Sequence, residues 1–183
     1  MSEISDPLSD RKDRLWNESY ETFYQCYFEE LLAGALLSRW SLFDAGVRTL
    51  VALTSSGSVV AGWSLWQSED LRWIWFTIAG VSAVLATVHT TLNIPDLTKT
   101  LGERRTTYCR LRTYLESFRL KLSMNPEFEF DPAVYEYSKL RAEYGSLLEK
   151  TEGVLLQTRD LELRIQDELN VRLGIQQTDD KTK

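Results

Sequence analysis

The sequence predicts an all-α protein: a two-transmembrane helical hairpin with an N-terminal amphipathic helix and a long C-terminal cytosolic helical region. Three observations carry this expectation. Two long stretches lack Asp, Glu, Lys and Arg, twenty residues from Thr49 to Ser68 and twenty-three from Trp73 to Pro95. About 18 or more such residues, mostly apolar, are enough at helical rise to cross a bilayer's hydrocarbon. The flanking segments are charged and repeat their apolar residues every three or four positions, the period of one helix face. No strand alternation, internal repeat or low-complexity linker appears anywhere. Whole-chain averages hide this patterning, because 183 residues with net charge −6 and 26% charged residues describe an ordinary acidic domain with room for one core.

The N-terminal cytosolic or juxtamembrane region is residues 1–43. Its opening, MSEISDPLSDRKDR, is charged throughout and has no apolar core of a signal peptide, so insertion is expected to rest on internal segments. Residues 12–37 read as a helix whose Trp16, Tyr20, Phe23, Tyr24, Tyr27 and Phe28 share one face. The membrane hairpin is residues 44–97, with spans at about 45–67 and 73–95. Between the spans, GWSLWQSEDLRWIWF sets Trp63 and Trp66 before the acidic turn Ser68-Glu69-Asp70, and Trp73 and Trp75 after it. Tryptophan favours the membrane–water interface, with its ring in the apolar layer and its N–H toward headgroups. These four residues are therefore expected to form an interface belt around an exposed turn.

Residues 98–183 form the cytosolic helical region. A basic helix over 98–124 stops at Asn125-Pro126, since proline disfavours helical geometry in the residue before it. A second helix over 132–173 has Asp131 as its N-cap, Pro132 in its first turn and Gly174 as its stop. Tyr137, Leu140, Tyr144, Leu147, Thr151, Val154, Thr158, Leu161, Ile165 and Leu169 make its apolar seam. At roughly forty residues it far exceeds the usual mean of about 11–12 and needs a partner along its length, from this chain or from a second copy in a coiled coil. Thr151 and Thr158 weaken a strict coiled-coil seam.

Charge sets the orientation. Lys99, Arg104, Arg105, Arg110 and Arg112 follow the second span, Arg39 and Arg48 precede the first, and the turn carries Arg72 alone. Positive residues stay on the cytoplasmic side, so both termini are expected in the cytoplasm of a multi-pass inner (plasma) membrane protein. The basic collar of residues 99–112 also suits anionic headgroups, worth about 1 kcal/mol per residue near the surface. Residues 98–125 are net +5 and residues 1–30 net −5. With no nucleic-acid-binding motif beside the collar, a nucleic acid polymer is not an expected partner.

Small and hydroxyl residues mark the candidate site. Thr54, Ser55, Ser58 and Gly62 make the first span polar in its middle, and Gly80, Ala83, Thr87 and Thr90 share a face of the second. Small residues let helix backbones approach closely, so hairpin packing or subunit contact is the plain reading. The sharper reading is a polar stripe lining a water-filled path in a homo-oligomer, because two spans alone enclose no aqueous route. His89 is the chain's single histidine and lies near the cytosolic end of the second span, where a titratable group is a functional candidate. No enzyme is expected. One histidine excludes multi-His metal centres, the glycines form no phosphate-cradling loop, and Glu29-Glu30 and Asp179-Asp180 are sequence neighbours that point apart on a helix. Neither metal nor cofactor is expected, and Cys26 and Cys109 read as unpaired thiols of a reducing compartment.

The order of parts resembles a known family. YETFYQCYFEELL, the two-span hairpin, RRTTYCRLRTYLESFRLKL and LRAEYGSLLEKTEGVLLQTRDLELRIQDE follow one another over residues 12–173. This architecture resembles the SLATT family, the two-transmembrane effectors of bacterial nucleotide-signalled anti-phage systems. The resemblance implies an oligomeric membrane effector, governed through its cytosolic helices by a nucleotide second messenger or a partner signalling protein, that breaches the inner membrane during infection. It transfers no individual functional residue. A non-conducting membrane anchor that presents a helical interaction module is the alternative, and a wholly soluble helical bundle is a third.

Overall fold

The structure is a computed structural model that describes residues 7–57, 69–124, 129–149 and 157–175. Every regular element among them is a helix: α1 Pro7–Gly57, α2 Glu69–Thr91, α3 Ile94–Met124, α4 Phe130–Glu149 and α5 Arg159–Arg172. The all-α expectation therefore holds. The chain forms two compact units, one of Met1–Gly34 with Glu103–Lys183 and one of Ala35–Gly102, so α1 and α3 contribute to both.

α1 runs unbroken through the expected boundary between residues 43 and 44. Nothing in RWSLFDAGVRTL breaks a helix: proline is absent, and Gly46 costs only about 1 kcal/mol relative to alanine. Arg48 also reaches back one turn to Asp44, with Nε 3.0 Å from Oδ1.

α2 ends earlier than the expected span. Asn93 adopts φ +46°, a left-handed geometry that asparagine tolerates better than most residues. Its carbonyl accepts the first amides of α3, from Asp96 at 3.0 Å and Leu97 at 3.1 Å. Pro95 falls in that first turn, where its missing N–H is harmless. The basic helix thus starts at Ile94 rather than at residue 98.

The first unit has a conventional core. Leu15, Phe23 and Cys26 of α1, Tyr108, Leu111, Leu115, Phe118 and Leu122 of α3, and Ala133 and Tyr137 of α4 form one buried cluster. The three- and four-residue steps along α3 give it a continuous apolar stripe. The Tyr137 hydroxyl donates to the Glu18 carbonyl at 3.0 Å and lies 2.9 Å from Thr22 Oγ1, which pins α4 to α1. Leu161, Ile165 and Leu169 are buried on α5, and the Tyr24 hydroxyl donates to Asn170 Oδ1 at 2.8 Å.

The expected single helix over 132–173 is corrected to two. Gln157 and Thr158 are not helical, and Thr158 is extended at φ −111°, ψ 148° as the N-cap of α5. The sequence between the two helices carries Gly153 with the β-branched Thr151 and Val154, all weak helix formers. At the far end Gly174 has φ +67°, and Ile175 N donates to Asn170 O at 2.9 Å, a glycine-terminated helix end.

The second unit is built differently. Leu36, Trp40 and Val47 of α1 are buried there with Ile94 and Leu101 of α3, and Trp40 meets Phe43 edge-on with centroids 5.9 Å apart. Among the described residues no single helix is long and apolar enough to cross a membrane. The pair Phe76–Thr91 and Ile94–Met124, bent by 49° at its break, meets that requirement by length and composition.

Candidate functional site

The second unit holds the candidate site, and α2 is its main wall. At 100° per residue the inward side of α2 is Ser82, Leu85, Ala86 and His89, and Ser82 is the most buried of these at 5% exposure. Ile78 lies on this same side and is 39% exposed, and the remaining sides, among the described residues, are exposed and mostly apolar: Trp73, Phe76, Val81, Val84 and Val88. In the first unit the buried positions of α3 are leucine, tyrosine and phenylalanine, whereas the inward side of α2 mixes Leu85 and Ala86 with Ser82 and His89.

Four hydroxyls of α2 are satisfied within their own helix. Thr77 donates to Trp73 O at 2.9 Å, Ser82 to Ile78 O at 2.7 Å and Thr87 to Ala83 O at 2.9 Å. Thr90 donates to Ala86 O or Thr87 O, at 3.0 and 2.9 Å. Such back-bonding lets a hydroxyl face an apolar medium without an orphaned donor.

The small-residue stripe on α2 lies on an outward side. Ala83, Thr87 and Thr90 are exposed, and a Cβ added at Gly80 meets nothing within 4 Å. Within this chain, the described part of α2 turns a different side, that of Ser82 and His89, toward its neighbours. Thr54 and Ser55 belong to the last turns of α1, but their side chains, like that of Trp75, lie outside the described set. Ser58, Gly62, Trp63 and Trp66 also lie outside the described residues. Of the tryptophan belt, Trp73 is described, and it is 66% exposed.

His89 has a partner that the sequence reading missed. Its Nε2 lies 2.6 Å from Oδ1 of Asp44 on α1, with both side chains less than one-fifth exposed. A carboxylate only accepts, so Nε2 carries the proton of this bond. Asp44 also takes the exposed Arg48, which makes a three-member polar cluster in the second unit. A signal was available: Asp44 is the single acidic residue between Glu30 and Glu69, one turn before Arg48.

The basic collar divides between the units. Arg104 pairs with Glu29, and Arg112 Nε donates to Glu30 Oε2 at 2.7 Å while its guanidinium stacks 4.6 Å from the Tyr27 centroid. Arg110 pairs with Glu143 at 2.9 Å, Arg105 packs its side chain beside Gly34, and Lys99 is exposed in the second unit. The opposite charges of residues 1–30 and 98–125 are thus partly matched to each other across α1 and α3. Around this seam, burial pushes the Cys26 thiol up to about 12, with Glu29 and Glu143 adding to the effect. Burial also raises the Tyr144 phenol and, with nearby Tyr20 opposing, lowers Arg119, whose guanidinium sits 4.2 Å over Trp16 and 4.6 Å over Tyr20.

Set against known proteins, the chain matches no family model, no curated protein and no solved structure.

Proposed function

We propose that this protein is a membrane effector that oligomerises and permeabilises, or forms a pore in, the bacterial inner membrane during an anti-phage defence response. Control acts through its cytosolic helices, by a nucleotide signal or a sensor partner. The observation that carries the membrane reading is the exposed apolar surface of α2, formed by Trp73, Phe76, Ile78, Val81, Val84 and Val88 beside a buried Ser82. Full burial of one such side chain contributes about 1.5–3 kcal/mol. Leaving six half-exposed in water forgoes on the order of 5–10 kcal/mol, comparable to the whole net stability of a domain. Lipid removes that loss, and the back-bonded hydroxyls of Thr77, Thr87 and Thr90 fit a lipid-facing helix.

The span runs across the bend at Asn93: the uncharged stretch continues past Thr91 into Ile94 and Pro95 at the start of α3. The two-transmembrane hairpin with both termini cytoplasmic is the arrangement this reading adopts. Oligomerisation is supported by the exposure of Gly80, Ala83, Thr87 and Thr90, since small residues not packed against other described residues suit close approach of a second chain. The defence setting rests on the resemblance to the SLATT family.

Dye efflux from vesicles carrying the purified chain tests this reading. Efflux is expected once the chain assembles, and Ser58→Leu is expected to abolish it with insertion intact. Vesicles that stay tight at every oligomeric state would sink the permeabilising role. They would leave the second reading, a two-span anchor for a helical interaction module, which the self-contained core of the first unit favours. That reading expects activity to survive exchange of the hairpin for an unrelated anchor.

A further inference from the structure

The first unit contains an open cavity at its surface, floored by Leu15 and Tyr137 of the core and walled by exposed arginines. Its volume is about 410 Å³, within the range of small-molecule sites. Leu15, Val134, Phe130 and Tyr137 supply apolar wall, and Arg11, Arg14 and Arg141 line it together with Glu18 and Ser138. Two of these cations are neutralised, Arg14 by Asp10 at 3.0 Å and Arg141 by Glu18 at 2.9 Å. Arg11 is not: its guanidinium lies 4.2 Å over the Phe130 ring and pairs with no carboxylate among the described residues. An arginine with no carboxylate partner among the described residues stands out here, because residues 1–30 carry a net charge of −5.

From this juxtaposition we infer that the cavity is a receptor site for a small organic anion. A phosphate or carboxylate head is held by Arg11 with Arg14 and Arg141 beside it, and an apolar body rests on Leu15, Val134 and Tyr137. Guanidinium matches both heads through paired N–H donors, and the neutralised arginines keep their remaining donors for the ligand. Phe130 orients Arg11 from one side through its ring face, leaving the guanidinium edge for the anion. The head is the chemistry shared by a soluble metabolite and a lipid, and both sources are compared below. The inference goes beyond the membrane reading and does not rest on it, because the cavity belongs wholly to the first unit.

The test uses the full chain in zwitterionic micelles, with 1-naphthyl phosphate as probe and isothermal titration as readout. Saturable binding at least about tenfold tighter than that of 1-naphthol or inorganic phosphate is expected, since a charge-assisted bond and an apolar body add. Arg11→Gln is expected to weaken binding about tenfold, and Val134→Trp to abolish it by filling the cavity. Arg110→Gln removes the same charge away from the cavity and is expected to leave binding unchanged. Circular dichroism checks that each variant is folded. Phosphatidylglycerol in the micelles separates the sources. Displacement of the probe that is lost in Arg11→Gln assigns the head to a lipid, and no displacement assigns it to a soluble ligand. The site is overturned if the probe fails to bind saturably, if either half binds as tightly as the whole, or if Arg11→Gln and Arg110→Gln weaken binding equally.

Discussion

Arg104 and Arg112 stand out in the sequence as part of a collar for anionic headgroups, yet each is held by a glutamate of α1. The Arg112–Glu30 pair is mostly covered, with side-chain exposures of 23% and 13%, so it falls between a surface pair and a buried one. Surface pairs contribute about 0–1 kcal/mol, and breaking a buried pair costs about 3–5. Glu30→Gln and Arg112→Gln are each expected to cost about 2 kcal/mol in thermal unfolding, with a coupling of about 1 kcal/mol in the double-mutant cycle. Additive losses would contradict the pairing. Cys26 gives a second, chemical check. Its ordinary value is 9.0 and burial raises it to about 12, so the folded thiol keeps its proton where the unfolded one has lost it. The resulting stabilisation is complete below about pH 9 and disappears as pH climbs through 12. At pH 8 iodoacetamide is expected to label Cys109 and spare Cys26 until the protein unfolds. Equal labelling of both in the native state would contradict this burial.

Helix boundaries divided into those the sequence made legible and those it did not. The N-terminal aromatic face followed from three- and four-residue spacing, because that spacing reports which residues share a side of the helix. Spacing says nothing about continuity, and so the break before α5 was invisible. Leu161, Ile165 and Leu169 keep their phase inside a separate helix and would read the same inside a long one. The isolation of Asp44 marked that residue, but its pairing with His89 was hidden, since a contact 45 residues apart is made by folding. The ends of α5 carry the prediction for this level of structure. Thr158 stands in extended N-cap geometry, but its side chain makes no cap bond. Thr158→Asp is expected to stabilise by about 0.5–1 kcal/mol through a cap bond and the helix dipole. Gly174→Ala, at φ +67°, is expected to destabilise by about 1 kcal/mol. Urea midpoints of the two variants check both signs, and a Gly174→Ala protein as stable as the parent would contradict the left-handed helix end.

Two contrasting ways of burying side chains coexist in one chain. The first unit hides leucine and tyrosine and turns its charges outward or onto one another, as water demands. The described part of α2 differs, with Ser82 and His89 sharing its inner side with Leu85 and Ala86, and valine, phenylalanine and tryptophan exposed on the other sides. This contrast is the physical basis for proposing that water surrounds one unit and lipid the other. It predicts that Val84→Arg, which costs about 2.5–3.5 kcal/mol at a membrane helix centre, moves the chain from the carbonate-resistant membrane fraction toward the soluble one. Retention of that variant in membranes would argue that Val84 faces an aqueous path or protein. The most direct measurement is the environment of residue 84 itself. A nitroxide is attached at Val84→Cys, with Cys26 and Cys109 replaced by serine, and the protein is reconstituted in vesicles. Its collision rates with oxygen, which concentrates in lipid, and with a water-soluble nickel chelate are compared. The account predicts high accessibility to oxygen and almost none to nickel; the reverse order would contradict it.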